Sequence, residues 1–291
     1  MEAVILAPGE GEIVSDRAER TVRIKVGLDA IAVTETRYEA GERGPEPHVH
    51  DRHTDGFYVL EGEILFGLGP DVEELTGTAG SFVAAPPEVV HTFRNASSGR
   101  ARYLNFHAPS ERFHDHLREV RDGRESDWFD QQDPPADGGR PRSDAVFLPG
   151  DEGERISVAR STLVVKGATD GTDGFLFLSE TTLEPGFPGP PPHVHRTLHD
   201  LFYVLEGTLT LRAGGERIEA APGSFACFPP GVVHTFSNAD GDQPVRFLNV
   251  NTPAGWERYM RELGAAFDRT APPTPDEVAR IARRYDFEVA A

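Results

Sequence analysis

The sequence predicts an all-β protein built from two similar domains, each a sandwich or barrel of short strands. One observation is an internal repeat that relates the two halves of the chain. The other is a series of short runs rich in β-branched and aromatic residues, such as "RTVRIKV" and "GFYVLEGEILFGL". Gly and Pro separate these runs, and the chain holds 30 Gly and 24 Pro, as expected when many turns connect many strands.

The repeat consists of two motifs, and the segments between the motifs have drifted apart. The first motif contains "FYVLEG" identically at Phe57–Gly62 and Phe202–Gly207. The second is "GSFVAAPPEVVHTFRN" from Gly80, which returns as "GSFACFPPGVVHTFSN" from Gly223. The repeated polar residues are His48 with His193, His50 with His195, Asp55 with Asp200, and His91 with His234. Each copy is as long as a whole domain, which excludes a solenoid or propeller unit.

This spacing predicts four parts along the chain. Residues 1–122 form the first domain, 123–144 an Asp-, Pro- and Gly-rich linker, 145–268 the second domain and 269–291 a helical tail. A short helix is expected to close each domain. The predicted features are Ser110 as N-cap of a helix with Phe113, Leu117 and Val120 on one face, Trp256, Met260 and Leu263 in the second helix, and Thr274 as N-cap of the tail helix.

Composition limits the function classes. The net charge of −19 over 291 residues argues against a nucleic-acid partner or an anionic membrane surface. The single cysteine, Cys227, excludes an internal disulfide framework and a thiolate metal cluster, and is expected to be a small packing residue. No stretch resembles a signal peptide or a membrane span, so the default expectation is a cytoplasmic protein with a small-molecule partner; homodimer formation is left open.

Each copy resembles a cupin, and the chain therefore resembles a bicupin. In that family a Gly precedes His-x-His, an acid and a Gly follow, and a second motif runs Gly, Pro-x-Gly, His, Asn. Both copies match, with departures: the family's Glu is Asp55 and Asp200 here, the first Gly lies one residue further upstream, and Glu88 stands where the second copy has Gly231. The resemblance implies a double-stranded β-helix, a small jelly-roll barrel.

The resemblance also has a physical basis, because alternate residues of a strand face the same side. His48 and His50 should point inward together, and Asp55, Phe57 and Val59 should share one face. Three imidazoles and a carboxylate suit Fe, Mn, Co, Ni, Cu or Zn and do not suit Ca or Mg. The predicted sites, one divalent transition metal per domain, are His48, His50, Asp55 and His91, and His193, His195, Asp200 and His234. Hydrogen-bonded core histidines are the alternative.

Asp55 and Asp200 are also the predicted catalytic residues, either as ligands or as proton acceptors through a bound water. His53 is expected to be an exposed loop residue, with a role beside the metal as the alternative, and His199 is expected to point away from the centre.

Glu88 occupies a turn that favours positive φ, so the strand carrying His91 is expected to be displaced and the second domain to hold the better site. Aromatic residues such as Phe57 and Phe202 should form the core or line a pocket.

Three functions remain open. One is a metal-dependent dioxygenase of an aromatic or enol-type small molecule, as the resemblance to quercetin 2,3-dioxygenases implies. Another is a different metallo-cupin enzyme, an isomerase, decarboxylase or hydrolase; an oxalate-decarboxylase-like role is less attractive without the family's Glu. The third is a non-catalytic cupin that binds a small molecule or a metal.

Overall fold

The computed structural model describes residues 2–126, 130–136 and 138–290 and confirms an all-β chain of two jelly-roll barrels with short helices. Two compact units are present. The N-terminal unit comprises Gly11–Glu152 with Thr169–Leu176, and the C-terminal unit comprises Gly153–Ala168, the chain from Phe177 onwards and the N-terminal segment that carries the first strand.

The elements of the first half of the chain are mostly strands of three to nine residues. In chain order they are β1 (Val4–Leu6), β2 (Glu12–Asp16), β3 (Arg20–Leu28), β4 (Ile31–Tyr38), β5 (Val49–His50), β6 (Thr54–Glu61), β7 (Glu63–Leu68), β8 (Glu73–Thr78), β9 (Phe82–Ala85), β10 (His91–Arg94), β11 (Ala101–Ala108), α1 (Phe113–Arg121), β12 (Gln131–Gln132) and β13 (Val146–Leu148).

The second half repeats this order. Its elements are β14 (Glu154–Val158), β15 (Ser161–Gly167), the 3₁₀ turn Thr169–Gly171, β16 (Phe177–Leu183), β17 (His193–Val194), β18 (His199–Glu206), β19 (Leu209–Ala213), β20 (Glu216–Ala220), β21 (Phe225–Phe228), β22 (His234–Ser237), β23 (Val245–Thr252), α2 (Trp256–Phe267), α3 (Pro275–Ala282) and β24 (Glu288–Val289).

Within the described residues, the N-terminal unit has a large sheet in the order β13-β9-β6-β11-β4-β3-β2, a smaller sheet β10-β7-β8 and the pair β12-β5. Apolar side chains from β6 and β7 meet between them, so Phe57 and Val59 lie in the core as the strand parity predicted, and Phe93 packs against it. The core residues are Tyr38, Phe57, Val59, Ile64, Phe66, Leu68, Val83, Ala101 and Tyr103.

The C-terminal unit has the same plan. Its described strands form one sheet in the order β1-β21-β18-β23-β16-β15-β14 and a second in the order β20-β19-β22-β17-β24. Phe202, Val204 and Phe228 contribute to the core between them. Cys227 is buried in β21, and this burial raises the pKa of its thiol to about 12, which fits the packing role expected of it.

The short strand that opens each copy joins the other unit. β1 pairs antiparallel with β21, with Val4 opposite Cys227, and β13 pairs antiparallel with β9, with Val146 opposite Ala84. The first strand of each copy in the sequence therefore pairs with a strand of the other copy. The domain limits 1–122 and 145–268 stay a prediction.

The helices agree with the sequence in place but differ in detail. In α3, the Thr274 hydroxyl accepts a hydrogen bond from the Glu277 backbone N–H at 3.3 Å, which confirms the predicted N-cap. The N-cap prediction for Ser110 is wrong, because α1 begins at Phe113 and Ser110 Oγ instead shares a hydrogen bond with His114 Nδ1 at 2.7 Å. Val120 is 54% exposed, so the predicted apolar face of α1 does not extend to the last turn.

None of the helices in the described residues is long and apolar enough to cross a membrane.

Candidate metal centres

Four of the predicted residues meet inside the N-terminal unit. His50 lies on β5, Asp55 on β6 and His91 at the start of β10. His48 is held beside His91 by two backbone hydrogen bonds, His48 N to His91 O at 3.1 Å and His91 N to His48 O at 2.9 Å. One ligand atom from each of the four side chains lies within 4.8 Å of the others, and all four residues are buried.

The C-terminal unit brings the second set together in the same way. His193 on β17 pairs with His234 on β22, and Asp200 lies on β18. With His195 they form a second buried group whose ligand atoms lie within 4.8 Å of one another. The structure therefore assembles both predicted sets of side chains, and their role as metal ligands is taken up below.

Each of the six histidines uses Nδ1 to donate a hydrogen bond to a backbone carbonyl. A carbonyl oxygen can only accept, so Nδ1 carries the proton and Nε2 of the neutral ring presents a lone pair. The acceptors are Glu46 O for His48, Asp130 O for His50, Val89 O for His91, Pro191 O for His193, Asp286 O for His195 and Val232 O for His234. The tautomer that binds a metal through Nε2 is thus set in both units.

These Nε2 atoms face a carboxylate oxygen. In the N-terminal unit Asp55 Oδ2 lies 3.3 Å from His91 Nε2 and 3.7 Å from His50 Nε2. In the C-terminal unit Asp200 Oδ2 lies 3.2 Å from His234 Nε2 and 3.8 Å from His195 Nε2. Lone pairs this close repel one another unless a proton or a metal ion lies between them. Ligand atoms about 2.0–2.2 Å from one ion are separated by about 3–3.5 Å around it. The distances to His91 and His234 fall in this range, and those to His50 and His195 are slightly longer. Three imidazoles and a carboxylate are a donor set of the kind that suits a transition metal.

Amide donors hold the other oxygen of each aspartate. Asn105 Nδ2 donates to Asp55 Oδ1, and Asp200 Oδ1 accepts from Asn249 Nδ2 at 2.6 Å and from Asn251 Nδ2 at 2.7 Å. Burial would raise the pKa of these carboxyls, but the surrounding histidines hold the pKa of Asp55 and of Asp200 below its ordinary value. Both groups are therefore carboxylates at neutral pH, oriented with Oδ2 towards the imidazoles.

Burial keeps three of these imidazoles neutral. Burial, followed by the neighbouring imidazoles, lowers the pKa of His48 and of His193 from 6.5 to about 3. Burial also lowers the pKa of His50. His195 differs: burial opposes its charged form, but the Asp200 carboxylate raises its pKa above the ordinary value. His48, His50 and His193 thus need to release no proton before a cation binds.

Two acidic residues near these centres were missed from the sequence. Asp130, just before β12, accepts from His50 Nδ1 with its carbonyl, at 2.9 Å, and from the Asp51 backbone N–H with its carboxylate, at 3.2 Å. Asp286, just before β24, accepts from His195 Nδ1 in the same way. A faint signal exists, since an aromatic residue precedes Asp in both "FDQQ" and "YDFE".

The expectation that His53 is an exposed loop residue is wrong. The side chain is fully buried and its Nδ1 bonds Asp130 Oδ2, because the segment that carries Asp130 folds over it. Its ring lies 4.0 Å from that of His50 and 4.6 Å from that of His107. His107, near the end of β11, is buried too, and its Nε2 lies 3.4 Å from Asp55 Oδ1. Further imidazoles thus surround the N-terminal centre, and His50, His53 and Asp130 form another compact group.

The expected displacement of the strand that carries His91 is not observed. Glu88 adopts φ +66°, close to the φ +86° of Gly231, and so forms the same turn. The Glu88 backbone N–H donates to His50 O at 2.7 Å, and that of Gly231 to His195 O at 2.8 Å. The backbone strain is thus absorbed within the turn, and the better site in the second domain stays a prediction without this support.

Aromatic rings enclose the C-terminal centre. Phe228 stacks flat on His234 with ring centroids 4.4 Å apart, and Phe287 stacks on His193 at 4.3 Å. Trp256 meets His195 edge-on at 5.2 Å. In the N-terminal unit the residue opposite Asp55 is Ala85, where Phe228 lies opposite Asp200. The two centres share a ligand set but differ in what surrounds it.

Comparison with known sequences agrees with this geometry. The profile of the cupin domain matches residues 34–107 and 179–251. The chain is 24% identical over 271 residues to quercetin 2,3-dioxygenase of Bacillus subtilis, which covers 81% of this chain and 77% of that protein.

Solved structures show the same fold. A putative glyoxylate-induced protein from Pseudomonas aeruginosa superposes with a TM-score of 0.63 at 15% identity, covering 86% of this chain and 89% of that chain. The oxalate decarboxylase of Lactobacillus farciminis superposes with a TM-score of 0.60 at 10% identity, covering 86% of both chains. At these identities the likeness concerns the fold alone.

Proposed function

This chain belongs to the cupin family, and from that premise we propose that it is a metalloenzyme that acts on a small oxygenated molecule as a dioxygenase. One Fe, Mn, Co, Ni, Cu or Zn ion would be held in each barrel. The proposed ligands are His48, His50, Asp55 and His91 in the N-terminal unit and His193, His195, Asp200 and His234 in the C-terminal unit.

One observation carries the metal proposal: in each unit, the Nε2 atoms of three imidazoles and a carboxylate oxygen converge within one buried group. Core histidines that serve only packing would pair their nitrogens with donors and acceptors in turn. Here each of the six Nδ1–H groups donates to a backbone carbonyl outside the group. The buried Nε2 of His195 makes no hydrogen bond with any described residue. A cation satisfies all four acceptors at once.

The ion would supply Lewis acidity and, if redox-active, a route for reaction with O₂. The chain's own contribution is to orient the site and handle a proton. Asp200 is ionised, and Asn249 and Asn251 occupy its other oxygen. Its Oδ2 is therefore the acceptor that faces the centre, where it could take a proton from an enol or phenol hydroxyl. Asp55 with Asn105 offers the same arrangement.

The dioxygenase reaction and the aromatic or enol-type substrate are supported by similarity to the quercetin 2,3-dioxygenase and by the aromatic rings around the imidazoles. Phe228, Trp256 and Phe287 give the C-terminal centre apolar walls, which favour planar organic ligands.

The test begins with protein purified without added metal. Elemental analysis should give up to two equivalents of a transition metal per chain, and O₂ uptake should accompany consumption of a flavonol or another enol from a panel. A variant with His48→Ala and His193→Ala, which loses one ligand in each unit, should lose both. His116→Ala is the matched control, because His116 lies on α1, bonded to Ser126, outside both groups.

The outcomes separate the remaining functions. Metal-dependent turnover of a panel compound without O₂ uptake would replace the dioxygenase with an isomerase, decarboxylase or hydrolase. Bound metal with no turnover would leave a binding protein. Protein that binds no transition metal would refute the metal proposal altogether.

A further inference from the structure

Each centre is covered by a short segment from outside its predicted domain, which we call a strap. The N-terminal strap is Asp130–Gln132 and the C-terminal strap is Asp286–Val289. Each strap pairs with the His-x-His strand, with Gln131 opposite His50 in the N-terminal unit and Val289 opposite His193 in the C-terminal unit. The two straps come from segments that look like a linker and a tail in the sequence.

We propose that Asp130 and Asp286 are positioning residues, each of which holds the second histidine of His-x-His in place for the metal. The inference rests on the proposed metal centres. According to this inference, the two straps help to form the metal centres and are more than a linker and a tail.

Asp286 contacts both the His195 ring and the loop that follows it. Its carbonyl accepts from His195 Nδ1. Its carboxylate accepts the backbone N–H groups of Arg196 at 2.7 Å, Thr197 at 2.9 Å and Leu198 at 2.9 Å. The carboxylate thus clamps the loop that follows His195, while the carbonyl sets the tautomer and the ring plane of the ligand. Asp286 therefore fixes both the ring, through Nδ1, and the backbone that follows His195.

Asp130 does the same in the N-terminal unit with different partners. Its carbonyl accepts from His50 Nδ1 and its carboxylate from the Asp51 backbone N–H. The second carboxylate oxygen bonds His53 Nδ1, where the C-terminal unit uses the backbone N–H of Leu198. The two straps differ in sequence but make the same pair of contacts, one to the histidine ring and one to the next backbone N–H. Packing alone would not require this agreement.

β12 and β24 are only two residues long, and the aspartates lie just before them. Their pairing with β5 and β17 places the carbonyls of Asp130 and Asp286 against the imidazoles. Partners of this kind, which orient a ligand and raise its basicity, typically contribute about 10–100-fold to metal affinity.

The experiment uses full-length protein with one centre removed. In a chain carrying His48→Ala and His50→Ala, only the C-terminal centre remains. Adding Asp286→Ala removes the carboxylate that holds the strap to the loop after His195 and leaves only the backbone carbonyl. The strap should then hold the carbonyl less firmly against the ring, so Co²⁺ binding should weaken about 10–100-fold in chelator competition and the visible Co²⁺ spectrum should change. Asp286→Asn, which keeps an acceptor oxygen, should lose less. Asp276→Ala, an exposed acid in the same tail, is the matched control and should change neither.

The reciprocal chain, with His193→Ala and His195→Ala, tests Asp130→Ala against the exposed control Asp133→Ala. Thermal melting of the metal-free variants, with binding measured well below the transition, separates loss of folding from loss of positioning. An unchanged Co²⁺ affinity and spectrum in Asp286→Ala would overturn the inference and leave the metal centre standing. Failure of the single-centre parents to bind Co²⁺ would overturn the metal centre and this inference together.

Discussion

Replacement of Asp200 by Asn gives the sharpest test of the carboxylate, because the surrounding donors dictate how the amide must lie. Asn249 Nδ2 and Asn251 Nδ2 both donate to Oδ1, at 2.6 and 2.7 Å. The amide oxygen must take that position, since an NH₂ group there would face two donors. The NH₂ group then lies where Oδ2 was, 3.2 Å from His234 Nε2 and 3.8 Å from His195 Nε2.

The magnitude follows from that orientation. An amide NH₂ has no lone pair for a metal, so the centre loses one ligand and one negative charge. A partner outside the ligand set is typically worth about 10–100-fold in metal affinity, so loss of a ligand should cost at least about 100-fold. If the carboxylate also accepts the substrate proton, turnover at saturating metal should fall by a further 10²–10⁴-fold, roughly the range for general bases.

The assay is metal affinity and O₂ uptake in the chain that carries His48→Ala and His50→Ala, with melting of the metal-free protein as the control. The fold should survive, because the introduced amide can donate a hydrogen bond to a neutral imidazole Nε2. Asp200→Glu should not improve metal retention, since Asp already reaches the imidazoles. Unchanged affinity and turnover in Asp200→Asn would remove the carboxylate from the site and leave a three-histidine centre.

Three further measurements test other parts of the molecule. Replacing His193 and His195 by Ala should halve the bound metal in elemental analysis, whereas loss of all metal would mean that the first domain binds none. Glu88→Gly should raise the free energy of unfolding by about 1 kcal/mol and Gly231→Ala should lower it by a similar amount, because both turns hold positive φ; equal melting temperatures would contradict this. Metal-free protein should lose stability as pH falls from 6.5 towards about 3, because unfolding lets His48 and His193 take up protons that burial denies them in the fold, and a melting temperature that rises on acidification would oppose it.

The repeat and the short strand-like runs predicted an all-β chain of two domains, and the resemblance to cupins, supported by strand parity, predicted the jelly-roll barrel and which side chains converge. His48, His50 and Asp55 lie close together in sequence, and His91 could be added because its motif returns intact as that of His234. Parity needs only the regular alternation of a strand, so it held for Phe57 and Val59 as well. Prediction failed for residues whose position depends on chain segments distant in sequence.

The two straps show why such residues could not be placed from the sequence. β12 and β24 span two residues each, too few for any hydrophobic period to appear. Their pairing depends on where the preceding chain delivers them, and a run of Asp, Pro and Gly before β13 has the composition of a linker wherever it folds. The burial of His53 follows from the same cause, since only the return of Asp130 covers a side chain that otherwise belongs to an exposed loop.

The differences around the two ligand sets argue that the centres are not equivalent. His53 and His107 bring imidazoles to the N-terminal centre, whereas the corresponding positions in the C-terminal unit are Leu198 and Asn251. Phe228 stacks on His234 where the N-terminal unit has the smaller Ala85. A metal ion in apolar surroundings is less hydrated, and its ligands and bound groups titrate differently from those of an ion among imidazoles. Two ions held by the same four donor types should therefore differ in reactivity, and measurements on the whole chain will average over both unless one centre is removed.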